Sequence, residues 1–161
     1  IFRLTKGGKL MEGIFKGETI NTPSMLCVED VLDALRWAKS LGGSAALVAR
    51  SERNLARIAA WVAKTDWVEF LAADPAVRSP TSVCLKIVDP WFSGLDETAQ
   101  RAFAKSIATV LAREGVAFDI AAYRDAPPGL RIWAGATIET DDIDALLPWL
   151  DWAFAEARAA T

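Results

Sequence analysis

Apolar residues recur at three- and four-residue spacing in four stretches of the chain, and between those stretches the period falls to two. Val28, Leu32, Leu35, Ala38 and Leu41 form the first helical stripe, which starts at Asn21-Thr22-Pro23 and stops at Gly42-Gly43. Thr22 is expected to cap this helix. Pro23 then takes the first helical position, where its missing N–H costs nothing. Leu47, Leu55, Ile58, Ala59 and Val62 mark a second helix from Ser44 to near Lys64. Phe103, Ile107, Val110 and Leu111 mark a third, capped by Asp96 and ended by Gly115. Thr140 is expected to cap the last, which carries Asp141, Asp142 and Asp144 near the positive end of its dipole. Pro148 inside it removes one backbone bond and predicts a kink.

The two-residue period appears in four short runs rich in β-branched and aromatic residues: 67–71, 81–88, 116–120 and 130–134. From residue 44 onward the order is helix, two strands, helix, two strands, helix. That order predicts an α/β chain of the α+β two-layer kind, with a small, mostly antiparallel sheet and helices packed on one face. Residues 1–22 differ. Gly7, Gly8, Gly13 and Gly17 oppose a helix there, and the expectation is extended or looped chain with a strand near Gly13–Phe15. The lead and the helix behind it read as an attachment to something else, and an opening Ile1 in place of Met reads as a piece of a longer protein.

Composition narrows the chemistry. The 161 residues have a net charge of −3, with 52% apolar and 24% charged positions, which suits a folded domain and gives no basic surplus for nucleic acid. No apolar run approaches the roughly 20 residues of a membrane-spanning helix. The two cysteines, Cys27 and Cys84, lack a partner motif, so a reduced, cytoplasmic protein is expected. There is no histidine, which removes Ser-His-Asp and Cys-His catalysis and every His-containing metal site; no metal cluster is expected. The seven tryptophans are spread along the chain without basic interleaving and read as core or subunit contacts.

Three features remain that could carry chemistry. Asn21-Thr22-Pro23-Ser24 at a helix start is either an ordinary cap or an anion site, because first-turn amides and the dipole favour negative charge there. Arg131, in the middle of an apolar strand, is either a salt-bridged or solvent-facing residue or a bidentate clamp for a carboxylate or phosphate. Arg124, in Tyr123-Arg124-Asp125-Ala126-Pro127-Pro128-Gly129, is either paired with Asp125 on the surface or a loop-borne ligand-binding group. Lys6-Gly7-Gly8-Lys9 lacks the spacing of a phosphate-binding loop and reads as a basic turn.

Taken together, Thr19-Ile20-Asn21-Thr22-Pro23-Ser24, the segment Tyr123–Trp133 and the closing Pro148-Trp149-Leu150-Asp151-Trp152-Ala153-Phe154 resemble the phosphoserine aminotransferases. Arg3-Leu4-Thr5-Lys6-Gly7-Gly8-Lys9-Leu10 is similar to the lead found in one bacterial branch of them. The resemblance implies the C-terminal portion of a homodimeric, fold-type-I enzyme that uses pyridoxal 5′-phosphate. Such an enzyme moves an amino group between glutamate and 3-phosphohydroxypyruvate, giving 2-oxoglutarate and phosphoserine in serine biosynthesis. It further implies that residues 1–22 end the large cofactor domain, 23–43 are a connecting helix and 44–161 are the small domain. Asn21 and Thr22 match the pair that reaches the cofactor phosphate of the neighbouring subunit. Arg131 matches the arginine that binds the substrate carboxylate. Arg124 matches the second residue of a His-Arg pair that helps hold the substrate phosphate, and Tyr123 stands where the histidine would be. The family's cofactor-bearing lysine lies upstream of the segment, so no catalytic residue is assigned here and the piece alone is expected to be inert. A stand-alone α/β small-molecule-binding or regulatory module, or a pyridoxal-phosphate aminotransferase for another amino acid, are the alternative readings.

Overall fold

The computed structural model describes residues 4–18 and 21–161, apart from the side chain of residue 14. Arg3 of the basic lead and Thr19-Ile20 of the first motif lie outside the described residues. The chain divides into two compact units, residues 1–43 and 44–161.

The first unit opens with a minimal hairpin of β1 (Thr5–Lys6) and β2 (Lys9–Leu10), paired antiparallel. Gly7 and Gly8 form its two-residue turn with φ of +56° and +74°. Two consecutive left-handed residues are what a primed hairpin turn requires, and glycine adopts that conformation without strain. Lys6-Gly7-Gly8-Lys9 is therefore a hairpin tip. The strand expected near Gly13–Phe15 is instead a short 3₁₀ helix, Glu12–Lys16.

Helix α1 (Met25–Ser40) follows, and it starts later than the sequence reading placed it. Its cap is Ser24, whose Oγ accepts from the Cys27 amide; Thr22 does not cap it. Ser24 holds an extended backbone and its hydroxyl stands three residues before a first-turn amide, which is the geometry a cap needs. The helix ends with Gly42 donating to Lys39 O and Gly43 to Ala38 O, a Schellman-type closure made by the two glycines.

The second unit contains α2 (Ser44–Val62), β3 (Val68–Phe70), β4 (Ser82–Ile87), the short α3 (Pro90–Ser93), α4 (Glu97–Arg113), β5 (Gly129–Trp133) and α5 (Thr140–Ala159). The strands form an antiparallel sheet in the order β3-β4-β5. Alternation along β4 sends Val83, Leu85 and Ile87 into the core and leaves Ser82, Cys84 and Lys86 on the other face. Leu130 and Ile132 join the buried side from β5, and Val68 and Phe70 from β3. Against them pack Ile58 of α2, Phe103, Ile107 and Leu111 of α4, and Ile143, Leu147, Leu150 and Ala153 of α5. One face of the sheet is thus covered by helices, as the element order predicted.

Two expectations for the second unit also need correction. Residues 116–120 are not a strand. Gly115 (φ +72°) closes α4, with Val116 N donating to Leu111 O and Gly115 N to Ala112 O. Those amides are spent on the helix end and are not free for a ladder. On the backbone, the segment meets β5 through an isolated bridge, Ala121 to Leu130, and the bond from Arg131 N to Ile120 O (2.8 Å). Thr140 does not cap α5 either. The cap residue is Glu139, which makes no side-chain capping bond, while Thr140 Oγ1 donates to Asn54 Oδ1 at 2.8 Å. α5 runs through Pro148 as one continuous helix.

Candidate functional site

Arg131 sits at the centre of β5, directly opposite Cys84 of β4 and therefore on the sheet face turned away from the helices. Gly129 makes this register possible. A Cβ at that position would collide with the Leu85 carbonyl oxygen, so only glycine lets β5 lie so close to β4. The strand holds Arg131 firmly, and its side chain is only 25% exposed.

The guanidinium is incompletely engaged. Nη2 donates to Asp119 Oδ2 at 2.6 Å, whereas Nε is buried and has no hydrogen-bond partner. Among the described residues it is the one buried side-chain polar atom without a partner. A buried donor left unpaired costs about 1–3 kcal/mol. Arg57 shows the same edge filled: its Nε and Nη2 grip the two oxygens of Asp144 at 2.6 and 2.7 Å. Those hydrogen bonds, and then the charge of Asp144, raise the Arg57 pKa above the ordinary arginine value. Arg131 thus presents a fork built for two acceptor oxygens and holding one.

Arg124 lies on the turn between Tyr123 and Ala126, where its side chain is 87% exposed and its Nε approaches Asp125 Oδ1 at 3.4 Å. That long, solvated contact leaves the charge available. It lines a cleft of about 230 Å³ shared with Arg101, Lys105, Tyr123, Pro128 and Gly129. Three cations surround this opening, of which Arg101 is paired with Glu97 and Arg124 touches Asp125 at the long distance given, so Arg124 and Lys105 carry the charge it offers an anion. Arg101 also fixes the turn itself. Its Nη1 donates to Arg124 O (3.4 Å) and Ala126 O (3.1 Å), while Nε and Nη2 are clamped by Glu97 one helical turn away. Arg131 does not line this cleft, so the two arginines serve separate places on adjoining chain. Arg101, Lys105 and Asp119 escaped the sequence reading. The signal for Asp119 was its position in a run expected to pair with β5; the signal for Arg101 was its spacing of four from Glu97.

Asn21 and Thr22 lie in the first unit, exposed, just before α1. The first turn of α1 carries no acidic residue, so nothing there repels an anion. An amide, a hydroxyl and the first-turn N–H groups are chemically fitted to a phosphate. Among the described residues no group of three His, Cys, Asp or Glu is gathered to hold a metal ion, and no helix is long and apolar enough to cross a membrane.

The chain is 51% identical over 154 residues to the phosphoserine aminotransferase of Methanosarcina mazei and 50% identical over 154 residues to that of Methanosarcina barkeri. Each match covers 96% of this chain. The chain matches the C-terminal part of the phosphoserine aminotransferases. It spans 39% of the length of these two relatives. No protein-family model matches. Among solved structures, the phosphoserine aminotransferase of Bacillus circulans subsp. alkalophilus superposes with a TM-score of 0.72 at 14% identity, over 89% of this chain and 36% of that one. Another phosphoserine aminotransferase, studied for radiation damage of its Schiff base, gives 0.73 at 16% identity over 94% of this chain and 40% of that one. At those identities the superpositions establish the fold, and it is the α/β fold of phosphoserine aminotransferase over this segment.

Proposed function

We propose that this chain is the C-terminal part of a homodimeric, pyridoxal-phosphate-dependent phosphoserine aminotransferase of the cytoplasm, exchanging an amino group between glutamate and 3-phosphohydroxypyruvate. In this reading residues 1–22 end the large cofactor domain, 23–43 connect, and 44–161 are the small domain. The observation that carries the proposal is Arg131: a guanidinium held by a strand, with one buried N–H free on the edge that binds carboxylates.

The substrate is a phosphorylated amino acid or keto acid, an anion at both ends, and needs separate cationic partners. Arg131 takes the α-carboxylate through Nε and Nη2, which fixes the orientation of the adjoining carbon. Arg124, at the cleft it shares with Arg101 and Lys105, takes the phosphate. Asn21 and Thr22, with the first turn of α1, hold the phosphate of the cofactor bound in the other subunit. Pyridoxal phosphate, when bound, supplies the reactive carbonyl and the electron sink that amino transfer needs. This chain's share is to bind and orient. The free thiols Cys27 and Cys84 agree with a reducing compartment.

The test is Arg131→Lys in the full-length enzyme. Lysine keeps the charge but loses the fork, so kcat/KM for the carboxylate substrate should fall roughly 10- to 100-fold, the worth of a charge-assisted bidentate contact. An unaltered kcat/KM with the fold intact would remove the carboxylate role.

A further inference from the structure

Asp119 occupies half of the Arg131 edge. Its carboxylate is 78% exposed and delivers one oxygen to Nη2, leaving Nε buried and unpaired beside it. A resident structural partner would resemble Asp144, which uses both oxygens on Arg57. The backbone on either side explains the difference. Arg131 N is tied to Ile120 O and Ala121 bridges Leu130, so residue 119 is anchored next to β5 while its side chain projects largely into water. Turning that side chain outward exchanges one solvated ion pair for hydration and requires no movement of the chain.

Resting on the carboxylate-binding role proposed for Arg131, we infer that Asp119 is a displaceable internal counter-ion. It keeps the Arg131 guanidinium paired while the site is empty and yields its place to an incoming carboxylate. The two compete unequally. The ligand engages both Nε and Nη2 and relieves the unpaired donor, which Asp119 does not. The arrangement makes Asp119 a determinant of apparent affinity: each binding event must first release an intramolecular carboxylate, and KM is set higher than Arg131 alone would give. It also screens the site against singly bonded anions, which gain no more at Nη2 than Asp119 already provides.

The experiment compares Asp119→Asn, Asp119→Ala, Asp119→Glu and Arg131→Lys in the full-length enzyme, measuring KM and kcat separately for the phosphorylated amino acid. Removing the competing charge should lower KM about two- to fivefold in the Asn and Ala variants, the range for a solvated ion pair, with the effect in KM and not in kcat. The Glu variant, which keeps the charge, should stay near the wild-type KM. If KM is unchanged or raised in the Asn and Ala variants, or falls equally in the Glu variant, while Arg131→Lys remains harmful, the counter-ion inference fails and the carboxylate role survives. If Arg131→Lys is also silent, both fail together.

Discussion

Arg57 and Arg131 are the same side chain under two regimes. On the helical layer, Arg57 of α2 meets Asp144 of α5 through two parallel hydrogen bonds, and the neighbouring Asn54 is likewise saturated. On the outer face of the sheet, Arg131 meets one oxygen of Asp119 and keeps a buried N–H unused. Pairing Arg57 with Asp144 and Asn54 with Thr140 ties α2 to α5. Leaving one N–H open on a rigid strand stores bonding capacity for something that arrives later. Under the proposed function, the first kind of residue holds the second unit together and the second kind holds a ligand, and each substitution below presses on one side of that division.

The largest effect on stability is expected at Asn54. It is fully buried, donates to Ala134 O (3.1 Å) and Ile138 O (3.0 Å), and accepts from Thr140 Oγ1. Asn54→Ala leaves two carbonyls and a hydroxyl short of partners in a place that water reaches poorly. Urea unfolding should show a loss of about 2–3 kcal/mol, read as a lower midpoint at unchanged slope. Ligand KM should stay put, because Asn54 lies between α2, α5 and the chain after β5, away from the Arg131 face. A KM that moves with stability would mean that the two regions are not separable.

Next in size is Arg124→Ala. In the proposed site this guanidinium holds the substrate phosphate, and among the described residues its one polar contact is the long one to Asp125. Stability should be indifferent, while KM for the phosphorylated substrate rises roughly tenfold, as for one lost charge-assisted bond, and KM for an unphosphorylated amino acid does not change. Equal losses for both would favour an aminotransferase for a different amino acid.

Which of these residues could be seen in advance follows from how local their causes are. The helices were legible because their periods, the Asp96 cap and the Gly115 stop act within a few residues. Strands β4 and β5 were legible because alternation and the central Arg131 are themselves local signals. The run at 116–120 misled because its composition suits a strand while Gly115 commits its first amides to the end of α4. Thr140 misled for a related reason. Its hydroxyl has a partner 86 residues away in Asn54, and no rule of spacing reveals that bond. Asp119 is the same case at the site: its meaning depends on which strand lies beside it. Arg124 and Arg131 were legible as odd cations in an apolar or loop context, but their differing degrees of engagement belong to tertiary structure.

The smallest expected effect completes the comparison. Asp144→Asn breaks a bidentate ion pair of ideal length, so by contact geometry alone it should matter more than any change at Asp119. Both partners are, however, well supplied with water: the side chains are 55% and 35% exposed, and solvent compensates each charge once the other is gone. The edge that Asp144 vacates is no binding site, since Arg57 lies on the helical layer and its carboxylate partner was already complete. Thermal melts of Asp144→Asn beside wild type should therefore differ only slightly, and KM for the phosphorylated substrate should be indistinguishable. A fall in KM like that expected for Asp119→Asn would show that any released arginine on this domain improves anion binding through bulk charge alone. The half-filled edge of Arg131 would then have no special standing. An unchanged KM leaves position and incomplete pairing, and not the mere presence of a cation, as the property that distinguishes the two arginines.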